Sequence, residues 1–310
     1  MYRTVDPEVA SSSLVAPAIL EAVLRKTAFL LSLGATEQGA ARKKVPVEAF
    51  LKIMVLSVVQ GLTEFLPVSS SGHLVLAKHF LGLESPGVSL ELFLHGGTLL
   101  AVIVFYRAKL LALLLGFFRG ERAALLYALW VFVSMIPAGA MYVWKGDAVE
   151  TAYGSPLAVS VLLMVTGAAL LSLYVVEHRA PRRRPFGWFD ALLMGVFQMI
   201  AMLPGVSRSG STIFVARLMG VKPAEAAEFS FIMSLPVIGG AVLVEILKDG
   251  VSPGGLDPWH CLAGAAVAAV VGWLAIGGLI RLLGRGRFHW FGFYCVAAGA
   301  ASLALLRGGF

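Results

Sequence analysis

Two short stretches hold most of the chemistry in an otherwise apolar chain. The first is Gln60-Gly-Leu-Thr-Glu-Phe-Leu-Pro-Val-Ser-Ser-Ser-Gly-His73, with a carboxylate, three adjacent hydroxyls and an imidazole. The second is Pro204-Gly-Val-Ser-Arg-Ser-Gly-Ser-Thr212, a guanidinium among small hydroxyl residues. Polar groups at membrane depth are expensive and tend to be functional. In the second stretch, small residues let the backbone approach an anion, and N–H groups opening a helix favour phosphate. Arg208 adds a planar fork suited to phosphate oxygens. Ser207, Ser209, Gly210 and Thr212 complete a phosphate-binding set. The bland alternative is a hydroxyl-rich helix break whose arginine reaches for the interface. The apolar arms on both sides of Arg208 weigh against it.

The first stretch is complementary. Glu64 suits a divalent cation or general acid–base work, since magnesium takes only one or two protein carboxylates and lets phosphates complete its shell. His73 is a proton shuttle by type. Ser69, Ser70 and Ser71 are candidate nucleophiles or hydrogen-bond donors. A lone buried histidine is more often structural, and a serine run often caps a helix. Carboxylate, hydroxyls and imidazole within one stretch, with an arginine in the second, are the stronger combination. The expectation is that the two stretches meet and build one phosphate site.

The elements that must position them are membrane helices. Of 310 residues, 58% are hydrophobic and 14% charged, and mean hydropathy is +0.85. Soluble domains hold about 45–50% apolar and about 25% charged residues, so a soluble binding module is excluded. The runs lack the alternation of a membrane barrel and read as helices. The net charge of +7 fits orientation and anionic lipid contact, not nucleic acid. Cys261 and Cys295 lie in or beside apolar runs without CxxC spacing and read as helix-packing residues.

Six runs read as spans: Leu90–Tyr106, Ala123–Trp144, Leu157–Val176, Phe229–Leu247, Cys261–Ile280 and Trp290–Leu306. Trp144, Trp188, Trp259 and Trp290 stand near run ends as interfacial anchors. Val47–Leu83 and Trp188–Gly220 are instead broken into two short arms each. The first reads as a helix to about Leu66, a Pro-Val-Ser-Ser-Ser-Gly turn, and a helix from His73 to Leu81. The second reads as two arms split by Pro204-Gly205 and Ser209-Gly210-Ser211. Such arms suit re-entrant hairpins. Arginine-rich loops after Tyr106, Val176 and Ile280 are expected in the cytoplasm. Parity then inserts the two hairpins from opposite faces, as in an inverted-topology repeat. Glu91 and His95, one turn apart, read as a structural pair, and Glu225 and Glu228 as helix-opening acids. Residues 1–45 read as an N-terminal extension, best suited to an interfacial helix. Residues 46–310 read as the polytopic membrane catalytic domain.

The repeat is visible within the chain. Gln60/Gln198, Ser69/Ser207, Ser71/Ser209, Gly72/Gly210 and Gly82/Gly220 share one offset of 138 residues. Repeat 1 covers about 46–144 and repeat 2 about 188–283. The copies differ where chemistry would differ: Ser70 answers Arg208, His73 answers Ser211, and Glu64 answers Met202.

At these residues the chain resembles the undecaprenyl-diphosphatases of the bacitracin-resistance type. Their first motif is a Glu or Gln, three residues, a Glu, then Pro-Val-Ser-Ser-Ser/Thr-Gly-His, here Gln60 to His73. Their second is Pro-Gly-x-Ser-Arg-Ser-Gly-x-Thr, here Pro204 to Thr212, and Glu228-Phe-Ser-Phe is also similar. The resemblance covers roughly residues 50–310. It implies an all-α integral membrane protein with six spanning helices plus two re-entrant helical hairpins. It implies removal of the terminal phosphate of undecaprenyl diphosphate, recycling the lipid carrier for peptidoglycan and conferring bacitracin resistance. It also implies a Mg2+ or Ca2+ ion and a multi-pass place in the bacterial cytoplasmic (inner) membrane, with the site open to the outer side. By resemblance, Glu64, helped by Gln60, binds metal or activates a group. Ser207, Arg208 and Thr212 hold the diphosphate, and Ser70 is nucleophile with His73 as proton partner. Attack by His73 or by water stays open. Gln60 is the less acidic option at its place, which weakens a two-carboxylate metal site. The expected partners are a polyprenyl diphosphate lipid and membrane lipid, and the sequence allows a homodimer. The rival class is a transporter or flippase for a polyprenyl phosphate lipid, since broken helices and inverted repeats are common there.

Overall fold

A computed structural model of the chain describes residues 47–81, 89–176, 186–249 and 256–308. The extension read over 1–45 lies outside the described residues, as does His178. Apolar runs that must satisfy their backbone internally fold as helices, and eleven helices follow along the described residues with no strand. They are α1 (Val47–Phe65), α2 (Ser70–Phe80), α3 (Ser89–Phe105), α4 (Arg107–Phe118), α5 (Arg122–Tyr153) and α6 (Pro156–Val176). Then come α7 (Trp188–Ile200), α8 (Arg208–Leu218), α9 (Pro223–Asp249), α10 (Pro258–Gly284) and α11 (Trp290–Arg307).

Five of them are long and apolar enough to cross a membrane: α5, α6, α9, α10 and α11. The sixth candidate is α3 joined to α4 across a 76° bend. The chain is therefore an integral membrane α-helical protein with five to six candidate spans.

Three boundaries differ from the sequence reading. The stretch after Tyr106, read as a loop from its charges, is helix α4. Its residues are strong helix formers, and Leu111, Leu114, Leu115 and Phe118 form an exposed apolar stripe beside Arg107 and Lys109. Helix α5 runs past Trp144 to Tyr153. The serines of both broken segments are not turn residues, because Ser70 and Arg208 each open a helix. The cause is capping: Ser69 Oγ accepts from Gly72 N at 3.3 Å, and Ser207 Oγ accepts from Gly210 N at 3.0 Å.

Small residues set the packing, as lipid-embedded helices require. Helix α10 takes α1 and α3 against its Ala265–Ala268 turn, where a Cβ on Gly61 would meet the Ala268 carbonyl at 2.8 Å. Helices α6 and α11 meet at Gly167 and Gly292, and Ser160 Oγ donates to Ser302 Oγ at 2.9 Å. Cys261 and Cys295 are free and buried, as their packing role requires.

The two breaks interlock. Ser69 Oγ donates to the Val206 carbonyl at 3.3 Å, and Ser209 Oγ donates to the Leu66 carbonyl at 3.1 Å. Gly72 lies so close that its Cβ would stand 3.0 Å from Gly205 Cα. Gly205 itself turns through φ +96°, which favours glycine.

Candidate active site

The interlock brings the last turn of α1 against the first residue of α8. Arg208 Nη2 donates to Glu64 Oε1 at 2.5 Å, an ion pair of which Glu64 is 7% exposed. Ser70, first residue of α2, donates its Oγ–H to Glu64 Oε2 at 2.6 Å. Gln60, one turn earlier on α1, donates Nε2–H to the same oxygen at 3.1 Å. One carboxylate thus holds a cation with one oxygen and a hydroxyl with the other. Charge-assisted bonds of this length are the strong ones, and removing either ion would leave the other buried and uncompensated.

Arg208 is braced from behind. Its Nη1 donates to the Ser230 carbonyl at 3.3 Å. Thr212 Oγ1 lies 2.8 Å from the Arg208 carbonyl and 2.7 Å from Ser230 Oγ. The hydroxyls of Ser69, Ser207, Ser209 and Thr212, with the Gly210 amide, are therefore engaged in caps and crosslinks that hold Arg208 and Ser70 in place. Ser69 does so in a left-handed backbone, φ 68°, which is costly outside glycine and recurs at functional sites. Ser71 stands 3.4 Å from Ser69 Oγ and faces Tyr153 at the end of α5.

His73 sits apart from the Ser70–Glu64 bond. Its Nδ1 donates to the Ser69 carbonyl at 2.8 Å, because a carbonyl can only accept. In the neutral ring Nε2 then accepts from Tyr294 Oη at 2.8 Å, with the two rings nearly parallel. The expected Ser70–His73 pairing is replaced by Ser70–Glu64 and His73–Tyr294.

Four residues were not among the expected site residues: Tyr153, Ser230, Tyr294 and His95, the last read only as a structural partner of Glu91. His95 and Glu91 do not pair through their side chains. The Glu91 carboxylate takes Lys78 of α2, while His95 Nδ1 donates to the Glu91 carbonyl at 2.8 Å. His95 Nε2 points instead at Glu64 Oε2, 3.9 Å away. A helical i,i+4 tie was legible, but nothing in the spacing linked it to Glu64.

A divalent cation finds one carboxylate here, and among the described residues no three His, Cys, Asp or Glu side chains cluster as a metal site. Gln60 Oε1 is nevertheless a buried acceptor without a hydrogen-bond partner. An amide oxygen, a carboxylate and a hydroxyl are hard donors, and with phosphate oxygens they fit a Mg2+-like ion.

Residues 53–301 match the family described as Bacitracin resistance protein BacA. A protein of Desulforudis audaxviator named undecaprenyl-diphosphatase is 42% identical over 258 residues, covering 82% of this chain and 98% of that protein. One of Rubrobacter xylanophilus with the same name is 40% identical over 273 residues, covering 83% and 98%. One of Methanococcus vannielii, again so named, is 36% identical over 245 residues, covering 79% and 96%.

Proposed function

The chain belongs to the bacitracin resistance protein BacA family, and from that premise we propose that it hydrolyses undecaprenyl diphosphate with Glu64, Ser70 and Arg208 at the reaction centre. The products are undecaprenyl phosphate and inorganic phosphate. It is a membrane hydrolase that recycles the lipid carrier for cell-wall synthesis, and its family ties it to bacitracin resistance.

The observation that carries the assignment of residues is the sharing of Glu64 between Ser70 Oγ at 2.6 Å and Arg208 at 2.5 Å. Glu64 takes the Ser70 proton as Oγ attacks the terminal phosphorus. The bond to the bridging oxygen breaks, undecaprenyl phosphate leaves with the electron pair, and Glu64 hands its proton to the departing phosphate. Water then attacks the phosphoserine, Glu64 takes its proton, and Ser70 Oγ leaves and recovers that proton. Arg208 swings its fork from Glu64 to the phosphoryl oxygens, where positioning and charge stabilisation do most of the catalysis. Glu64 and the Gln60 amide oxygen would hold a divalent cation, which when bound neutralises charge on the diphosphate.

The architecture that serves this chemistry is six spans with α1–α2 and α7–α8 as re-entrant hairpins of an inverted repeat. Packing supports it under exchange of the copies. Helix α1 lies on α10 as α7 lies on α5, and α3 lies on α10 as α9 lies on α5. The arginine-rich loops set the first hairpin, and with it the site, open to the outer face of the cytoplasmic membrane.

The test is phosphate release from undecaprenyl diphosphate by detergent-purified protein with Mg2+ or Ca2+. Release without a membrane favours the hydrolase, and binding without release favours a carrier. In R208A release vanishes while the protein still inserts; full activity in a folded R208A protein overturns the site.

A further inference from the structure

We infer that His95 is a nitrogen ligand of the divalent cation, turning this site toward transition-metal ions such as Mn2+ and away from Ca2+. The inference rests on the cation placed above at Glu64 and Gln60. The first observation is a pair of facing acceptors. The Glu91 carbonyl fixes the proton of His95 on Nδ1, so in the neutral ring Nε2 presents a lone pair to Glu64 Oε2, 3.9 Å away. That gap is too long for a direct hydrogen bond. Two ligands of one cation, on bonds of about 2.1 Å, stand roughly 3 to 4 Å apart. A carbonyl on the far ring nitrogen is also the partner that metal-bound histidines keep.

The second observation is independent. Gln60 is fully buried, its Nε2 is committed to Glu64, and its Oε1 has no hydrogen-bond partner. A buried acceptor left so costs free energy unless something positive meets it. The charged groups around His95 leave that role open. Arg208 occupies Glu64 Oε1, and Lys78 is paired with the Glu91 carboxylate at the rim of α2 and α3. Arg208 and Lys78 thus leave Glu64 Oε2, the Gln60 amide oxygen and the His95 imidazole, on α1 and α3, without a cation of their own, Oε2 being held by the Ser70 hydroxyl and the Gln60 amide group. An imidazole in an otherwise oxygen set shifts preference along the transition series.

The experiment binds Mn2+ to metal-stripped protein in detergent, alone and with methylenediphosphonate, and reads it by electron paramagnetic resonance with spin-echo modulation. Expected is bound Mn2+ that E64Q loses, with nitrogen modulation that survives H73Q and disappears in H95Q. In H95Q the Mn2+ affinity falls about tenfold or more, and Ca2+ affinity changes far less. Mn2+ that E64Q loses but that carries no nitrogen modulation, or keeps it in H95Q, overturns His95 as ligand and leaves the cation at Glu64 standing. Absence of bound Mn2+ with and without the diphosphonate overturns both.

Discussion

Ser70 and Arg208 meet on one carboxylate, so their substitutions separate attack from stabilisation. S70A keeps the Arg208–Glu64 pair but has no Oγ to attack with; kcat should fall on the order of 10³-fold or more, with substrate still bound. Turnover retained in S70A, measured by phosphate release, would move the nucleophile to His73 or water. R208K keeps the charge and loses the fork, so a drop of about 10²-fold in kcat/KM is expected; near wild-type kinetics would reduce Arg208 to a counter-ion. At His73 the geometry points to orientation through Tyr294. Y294F should lower kcat by about tenfold with KM nearly unchanged, below the roughly 10²–10⁴-fold of a full general acid–base contribution, while H73A loses more. The Glu64–Arg208 meeting was legible because each residue sits in a polar island within apolar sequence. Tyr294 was not, since it is a lone polar residue in a hydrophobic helix, bonded to a residue far along the chain. Periodicity carries no information about such contacts.

The broken helices show why one offset of 138 residues joins serines and glycines and skips the chemistry. Ser69 and Ser207 cap their helices from equivalent places, and Gly72 and Gly210 supply the amides they accept from. What repeats is the device that restarts a helix after a proline break. What differs, Ser70 against Arg208 and Glu64 against Met202, is free to specialise. The motifs therefore marked the two broken helix pairs but assigned their hydroxyls to phosphate, while the fold gives several of them to capping and interlock. S207A should cost about 1 kcal/mol as a lost cap. G205A should cost more, about 1–3 kcal/mol from the positive φ alone, with the new Cβ also 2.5 Å from the Val159 carbonyl. Thermal unfolding in detergent checks the order; a G205A protein as stable as wild type would show that the break relaxes without glycine. Helix α4 was missed for a different reason. Arg107 and Lys109 within it, and Arg119, Glu121 and Arg122 just after it, dominate a charge count, although Leu111, Leu114, Leu115 and Phe118 already carried the helical period.

At the scale of the whole molecule, the assignment of an outward-facing site hangs on the hairpins entering from opposite leaflets. Positive charge orients the loops, but a hairpin dips without crossing, so its own ends reveal its side. His79 at the end of α2 and Lys222 just beyond α8 are both exposed and mark those ends. The only native thiols, Cys261 and Cys295, are fully buried, so a single introduced cysteine supplies the reactive group. In intact spheroplasts, H79C should take a membrane-impermeant maleimide, and K222C should do so only after the membrane is opened. Sidedness that differs between the two is the signature of inverted repeats; labelling of both from one side would mean parallel insertion. Reactivity of K222C alone in intact spheroplasts would invert the molecule and turn the site toward the cytoplasm. That outcome would leave the Glu64–Ser70–Arg208 chemistry intact and hand it a substrate from the inner leaflet, so orientation and reaction centre stand or fall on separate measurements.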